Sequence, residues 1–238
     1  MAIINADDFG MSEEVNDAIV YCFEKRLIHQ TTILMNGQYC KEAFLLSDKH
    51  GFRDRVGLHV NLVSGTPLTQ EIRNTFLCTD GKFNGSIMRG RNRIYMNKTA
   101  CRTVESEIEA QVMAYLGMGF RLKHIDSHRH SHTNLSVINI LLKIMRKYDF
   151  DSIRLTKNIP YNGISLKNFY KMFLNKKLRR FNCNGIYKDI VYFGSLDDYE
   201  KSLVDKKKVE IMVHPVIQTN EIKDNVSGKL LEDRLKKI

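Results

Sequence analysis

The sequence has no tryptophan and only three prolines in 238 residues. It has no Gly/Ser-rich run that could serve as a flexible linker between domains. Nor does it hold an apolar stretch near the ~18 residues needed to cross a bilayer. The N-terminus, MAIINADDFG, lacks the basic patch and long apolar core of a signal peptide. These absences exclude a membrane protein and point to a cytoplasmic one. The five cysteines (Cys22, Cys40, Cys78, Cys101 and Cys183) are odd in number and scattered, with no CxxC pair. That usage indicates reduced thiols, neither a disulfide framework nor a structural zinc site.

What is present in quantity is ordinary apolar and charged content, at 43% and 27%, which excludes intrinsic disorder. Positive charge is in excess: 37 Lys and Arg against 27 Asp and Glu, a net +10. It concentrates at 167–180 (KNFYKMFLNKKLRR) and at 206–208. The first stretch interleaves Phe169, Tyr170, Met172, Phe173 and Leu174 with its lysines, the pattern of an amphipathic helix. A solvated basic helix face accounts for it better than an anion site, so charge alone does not name a nucleic-acid partner.

Apolar spacing predicts strands over 2–4, 31–35, 56–62, 123–126, 152–155, 190–193 and 209–213. Between them it predicts helices over 12–26, 41–49, 99–116, 135–148 and 196–206. Residues 79–98 read as a long surface excursion, and 158–184 as a basic, mostly helical insertion. This alternation predicts one α/β domain over 1–238 with a mainly parallel sheet. Ionisable residues fall at five strand ends: Asp7 with Asp8, His59, the 124–132 cluster, Arg154 and His214. Five ends converging on one rim fit a barrel-like closure better than an open sheet.

The densest signal is Lys123-His124-Ile125-Asp126-Ser127-His128-Arg129-His130-Ser131-His132, which holds half of the chain's eight histidines. Imidazole is the commonest metal ligand and titrates near neutrality, so metal binding or acid–base work is favoured over loop histidines satisfied by backbone. A strand end curling into a loop would present only one or two of His128, His130 and His132 to a metal. Asp7-Asp8 is ambiguous by itself: a helix N-terminal acidic pair is an equal alternative. Adjacent side chains on extended backbone point to opposite sides, so the two carboxylates can divide labour only if a turn brings both to the rim. His59 interrupts an apolar strand, where a satisfied core histidine is the commoner case. His214 ends the strand Glu210-Ile211-Met212-Val213, and Pro215 stops it. Jointly these strand ends supply Asp, His and His, a common set for a catalytic divalent metal. No phosphate loop, GxSxG elbow or Cys/His nucleophile pair competes with hydrolysis by metal-activated water.

Asn5-Ala6-Asp7-Asp8-Phe9-Gly10, Thr31-Thr32 through Asn36-Gly37, Gly57-Leu58-His59-Val60-Asn61-Leu62, the 124–132 cluster and Val213-His214-Pro215 together resemble the YdjC-like carbohydrate deacetylases. The motifs run in family order from residue 3 to about 216. The resemblance implies a deformed, TIM-like (β/α) barrel that removes acetyl groups from N-acetylated mono- or oligosaccharides, with a homodimer expected. It makes Asp8, His59 and His128 ligands of one divalent metal, Mg²⁺ or Zn²⁺. Asp7 becomes the general base, His214 the general acid, and Arg154 the residue that orients the base. His130, His132 and Asn36 are assigned to the sugar pocket, or, for the histidines, to its supporting layer. The family pattern also implies a further helix and a closing strand after the His-Pro strand, for which little chain is left here. A metal-dependent phosphoesterase with two metals is the rival enzyme, and a nucleic-acid-binding protein using 167–180 the rival of another class.

Overall fold

The computed structural model describes residues 2–86, 95–159, 165–182 and 185–238. Cys183 and parts of the expected excursion (87–94) and insertion (160–164, 183–184) lie outside the described residues. In chain order the elements are β1 (Ile3–Phe9), α1 (Glu13–Glu24), β2 (Gln30–Ile33), α2 (Cys40–Lys49), β3 (Val56–Val60), α3 (Gln70–Arg73), β4 (Cys78–Thr79) and β5 (Lys82–Phe83). Then come α4 (Lys98–Gly117), β6 (His124–Ser127), α5 (Leu135–Lys147), β7 (Ser152–Ile153), α6 (Leu166–Leu178) and β8 (Tyr192–Ser195). The chain finishes with α7 (Leu196–Lys201), β9 (Val209–Val213), β10 (Pro215–Gln218), β11 (Glu221–Asp224) and α8 (Glu232–Leu235).

Seven strands form one parallel sheet in the order β7-β6-β3-β2-β1-β9-β8. Its strands are buried on both faces, as a sheet wrapped by crossover helices must be. The sheet curls into a half-barrel. In a flat sheet, four strand spacings would separate β7 from β1 by roughly 19 Å, yet Arg154, just after β7, touches Asp7 of β1 at 2.6 Å. This is the TIM-like α/β architecture that the family resemblance implied, and the strand ends converge on one side as the barrel-like reading expected.

Among the described residues, no strand–strand ladder joins β7 to β8. Asparagine amides, each with a donor and an acceptor, take over the backbone groups along that seam. Asn182 accepts from Ile153 N–H at 2.8 Å and donates to its carbonyl at 3.0 Å. Asn175 of α6 does the same for Thr156, at 2.7 and 3.2 Å. The Asn158 side chain accepts from Phe193 N–H of β8 and donates to the carbonyl of Val191 just before it, and its backbone N–H donates to the Phe193 carbonyl. No eighth barrel strand follows β9 among the described residues; the chain turns instead into the antiparallel β10–β11 hairpin, packed against α1.

Local rules explain most elements. Ser12 caps α1, its hydroxyl accepting from Val15 N–H at 3.3 Å, a contact worth about 1 kcal/mol. α5 buries Val137, Ile138, Leu141, Leu142 and Met145 on one face and keeps Arg146 and Lys147 in its last turn, where the helix dipole favours them. α6 departs from expectation. It buries only Leu174, Asn175 and Leu178, while Phe169, Met172 and Phe173 are exposed. Its core-facing stripe is set by the 174/178 spacing and the Asn175 bonds, not by the phenylalanines. No described helix is long and apolar enough to cross a membrane.

Candidate metal and catalytic site

β1 carries the NADDF sequence to the rim, and its last turn decides the site. The register against β2 shifts between Ala6 and Phe9, and Asp8 adopts a left-handed φ of 71°. This irregularity re-aims a side chain that regular pleating would turn away. Both carboxylates therefore approach the same buried histidine, His59. Asp8 Oδ1 lies 2.7 Å from His128 Nδ1 and 3.1 Å from His59 Nε2. The carboxylate and imidazole ligand atoms of these three residues all fall within 4.8 Å of one another.

His59 stands opposite Asp126 in the β3–β6 register, so both project to one side. Asp126 Oδ1 takes His59 Nδ1 at 2.6 Å, and Thr32 Oγ1 supports both at 3.1 Å. That fixes Nε2 as the nitrogen facing Asp8, the arrangement by which a carboxylate orients a ligating histidine. Burial works against charge on His59, but Asp126, Asp8 and Asp7 outweigh it and push the imidazole up to about 10. Burial also opposes charge on Asp8, and bonds from His128 and His59 hold it well below the usual carboxylate range. A cation at this position thus competes with a proton on His59.

His128 reaches the cluster because the chain after β6 winds into a tight turn, His128–Thr133, with left-handed residues at Arg129 and His130. The turn separates the histidines as a curling strand end should. His130 packs edge-on against Phe193 at 5.6 Å, and burial with nearby Arg154 lowers it to about 3. His132 has no exposed surface; its Nδ1 and backbone N–H both engage Ser127 Oγ. His124 is a satisfied core residue, stacked on Tyr187 at 4.1 Å. Asn36 spends its amide on Asn61, Ser64 and Thr66, bracing the loop after β3.

Arg154 is wholly buried and binds three carboxylates. Its terminal nitrogens clasp Asp7 at 2.6 and 2.8 Å, one also reaches Asp126 at 2.7 Å, and Nε meets Glu210 at 2.7 Å. Desolvation opposes ionisation of Asp7, but Arg154, His59 and His214 keep it ionised far below the ordinary range. Asp7 Oδ1 is doubly engaged, by Asn5 at 2.7 Å and by Arg154, while Oδ2 lies 3.9 Å from His214 Nε2. Burial lowers His214's proton affinity, yet Asp224, Asp7 and Asp8 hold it above an ordinary histidine.

Three participants carry no role in the sequence reading: Asp126, Glu210 and Asp224. Asp126 sat inside the histidine cluster and Glu210 inside an apolar strand, where the alternation Glu210–Met212–His214 is the signal for an inward face. Glu210 is fully buried, and desolvation raises it to about 7 against the pull of Arg154. Its atoms, with His124 and Asp126, form one of two further close groups of potential ligands among the described residues, the other being Asp7, His59 and Asp126, and Arg154 binds carboxylates of both. The Arg154 guanidinium already sits against both groups, taking the place a second cation would need. The two-metal phosphoesterase reading finds no support there.

Residues 1–236 match the YdjC-like protein family. The chain belongs to that family. Among similar proteins, a carbohydrate deacetylase of Halalkalibacterium halodurans is 30% identical over 98% of this chain and 92% of its own. One from Vibrio vulnificus is 34% identical over 90% of this chain and 78% of its own. One from Thermoanaerobacter pseudethanolicus is 27% identical over 98% and 90%. A solved structure from Enterococcus faecalis V583, described as a candidate cellobiose-phosphate cleavage protein, superposes with a TM-score of 0.66 at 23% identity, covering 91% of this chain and 81% of that one. It shares the fold of this YdjC-like chain.

Proposed function

We propose that the chain is a metal-dependent carbohydrate deacetylase acting on N-acetylated mono- or oligosaccharides. The observation that carries the reading is the convergence of Asp8, His59 and His128 beside the facing pair Asp7 and His214. The donor set fits a divalent cation: one carboxylate oxygen and two imidazole nitrogens, with His59 pre-oriented by Asp126. Two imidazoles suit Zn²⁺ better than Mg²⁺, which prefers more oxygen ligands. When bound, the cation polarises the acetyl carbonyl and acidifies the attacking water.

The chain's own residues do the rest. Asp7, ionised and aimed by Arg154, takes the proton from the water. The Arg154 clasp keeps that carboxylate from turning away as its charge is consumed. His214, whose hold on a proton the neighbouring carboxylates strengthen against burial, donates from Nε2 to the departing amine, which is too basic to leave without a proton. The products are acetate and a free amino sugar. The four described cysteines are free thiols, which supports a reducing, cytoplasmic location.

Acetate release from N-acetylglucosamine oligomers tests the reading. Activity should vanish after exhaustive chelation and return on adding back Zn²⁺ or Mg²⁺, whichever is native. Release that survives chelation would sink it.

A further inference from the structure

β9 ends at Val213, and the chain then folds back as the β10–β11 hairpin, in which Pro215 pairs with Asp224. The hairpin returns a carboxylate to the far side of His214. Asp224 Oδ2 accepts the His214 backbone N–H at 2.9 Å and lies 3.7 Å from the ring Nδ1. Its Oδ1 accepts from Val226 N–H at 3.2 Å and Ser227 N–H at 2.8 Å, so the group cannot swing away. Asn225 N–H donates to the His214 carbonyl at 2.8 Å, tying both ends of the hairpin to this one residue. The imidazole thus stands between two carboxylates, with Asp224 on the Nδ1 side and Asp7 on the Nε2 side. A cavity of about 180 Å³ adjoins it, lined by Met212, His214, Asp224, Ser227 and Arg234 among others.

Resting on the reading of His214 as the acid, we propose that Asp224 is a positioning residue for deacetylation. It holds Nδ1–H toward itself and supports the imidazolium, so that Nε2 presents the transferable proton. In the neutral ring only one nitrogen carries hydrogen, and a carboxylate beside Nδ1 decides which. The step balances. Water oxygen bonds to the acetyl carbon, the C–N bond breaks, and the amine nitrogen takes the Nε2 proton. Asp7 receives the proton from water and passes it back to His214 Nε2, which it faces, once the products have left, restoring the acid. Nothing is oxidised or reduced.

The metal-loaded enzyme and its Asp224→Asn, Asp224→Ala and His214→Ala variants test this. On an N-acetylglucosamine oligomer, Asp224→Asn should lower kcat by roughly 10–100-fold with KM and metal content little changed. On 4-nitrophenyl acetate, whose leaving group departs without a proton, the loss should be only about two- to threefold. Formate should restore part of the Asp224→Ala rate by occupying the space beside the cavity. Equal losses on both substrates with no formate response would make Asp224 a hairpin-stabilising residue only and overturn the proposal. So would full amide activity in both Asp224 variants while His214→Ala is impaired. Full amide activity in His214→Ala would instead remove the acid assignment itself, and the proposal with it.

Discussion

Arg154 clasps Asp7 with both terminal nitrogens although 147 residues separate them in the chain. The same guanidinium binds Asp126 and Glu210, so one buried cation balances a layer of acids beneath the site. Arg154→Met would leave those carboxylates uncompensated and should destabilise the fold by about 3–5 kcal/mol. Arg154→Lys should recover little, because a point charge cannot span planar contacts to three partners. Urea unfolding checks both; a lysine variant within 1 kcal/mol of wild type would contradict the hub.

Asp126 acts on the metal through His59. Asp126→Asn should weaken affinity for the cation about 10- to 100-fold. Calorimetric titration of Zn²⁺ into the metal-free protein reads it directly. An unchanged affinity would mean that His59 needs no orienting partner.

Glu210 has a consequence for stability against pH. Its folded-state pKa of about 7 exceeds the ordinary 4.5, so between those values the folded chain keeps a proton that the unfolded chain has released. Stability therefore falls as pH rises across that window and levels off above it. Glu210→Gln keeps an acceptor for Arg154 Nε and removes the titration. The variant should gain up to about 3 kcal/mol over wild type at pH 8, with the gap closing by about pH 4.5. Urea midpoints across the range measure it, and a variant less stable than wild type at pH 8 would contradict it.

Much of the site was legible because it hangs on strand ends, and strand ends can be read from apolar runs. His59, Arg154 and His214 fall at or just past the C-terminal ends of β3, β7 and β9 and His128 just past β6, whereas β1, read as 2–4, runs on to Phe9 and carries Asp7 and Asp8 within it. What pattern could not supply is local backbone and long-range register. That Asp7 and Asp8 both approach His59 depends on a register shift in β1 and a left-handed Asp8. The role of Asp126 depends on β3 lying beside β6 with His59 opposite it. Pro215 does stop β9, but the hairpin that brings Asp224 back is a tertiary event. The seam asparagines are polar residues within a basic stretch, and only the missing ladder between β7 and β8 gives them meaning.

The division of labour between the two neighbouring aspartates is the centre of the account. Its direct measurement is calorimetric metal titration of Asp7→Asn and Asp8→Asn, paired with acetate-release rates at saturating metal. Asp8→Asn should bind metal weakly and regain part of its rate as metal is raised. Asp7→Asn should bind metal like wild type and lose about 10²–10⁴-fold in kcat. Loss of the metal in Asp7→Asn, with retention and slow turnover in Asp8→Asn, would contradict the assignment.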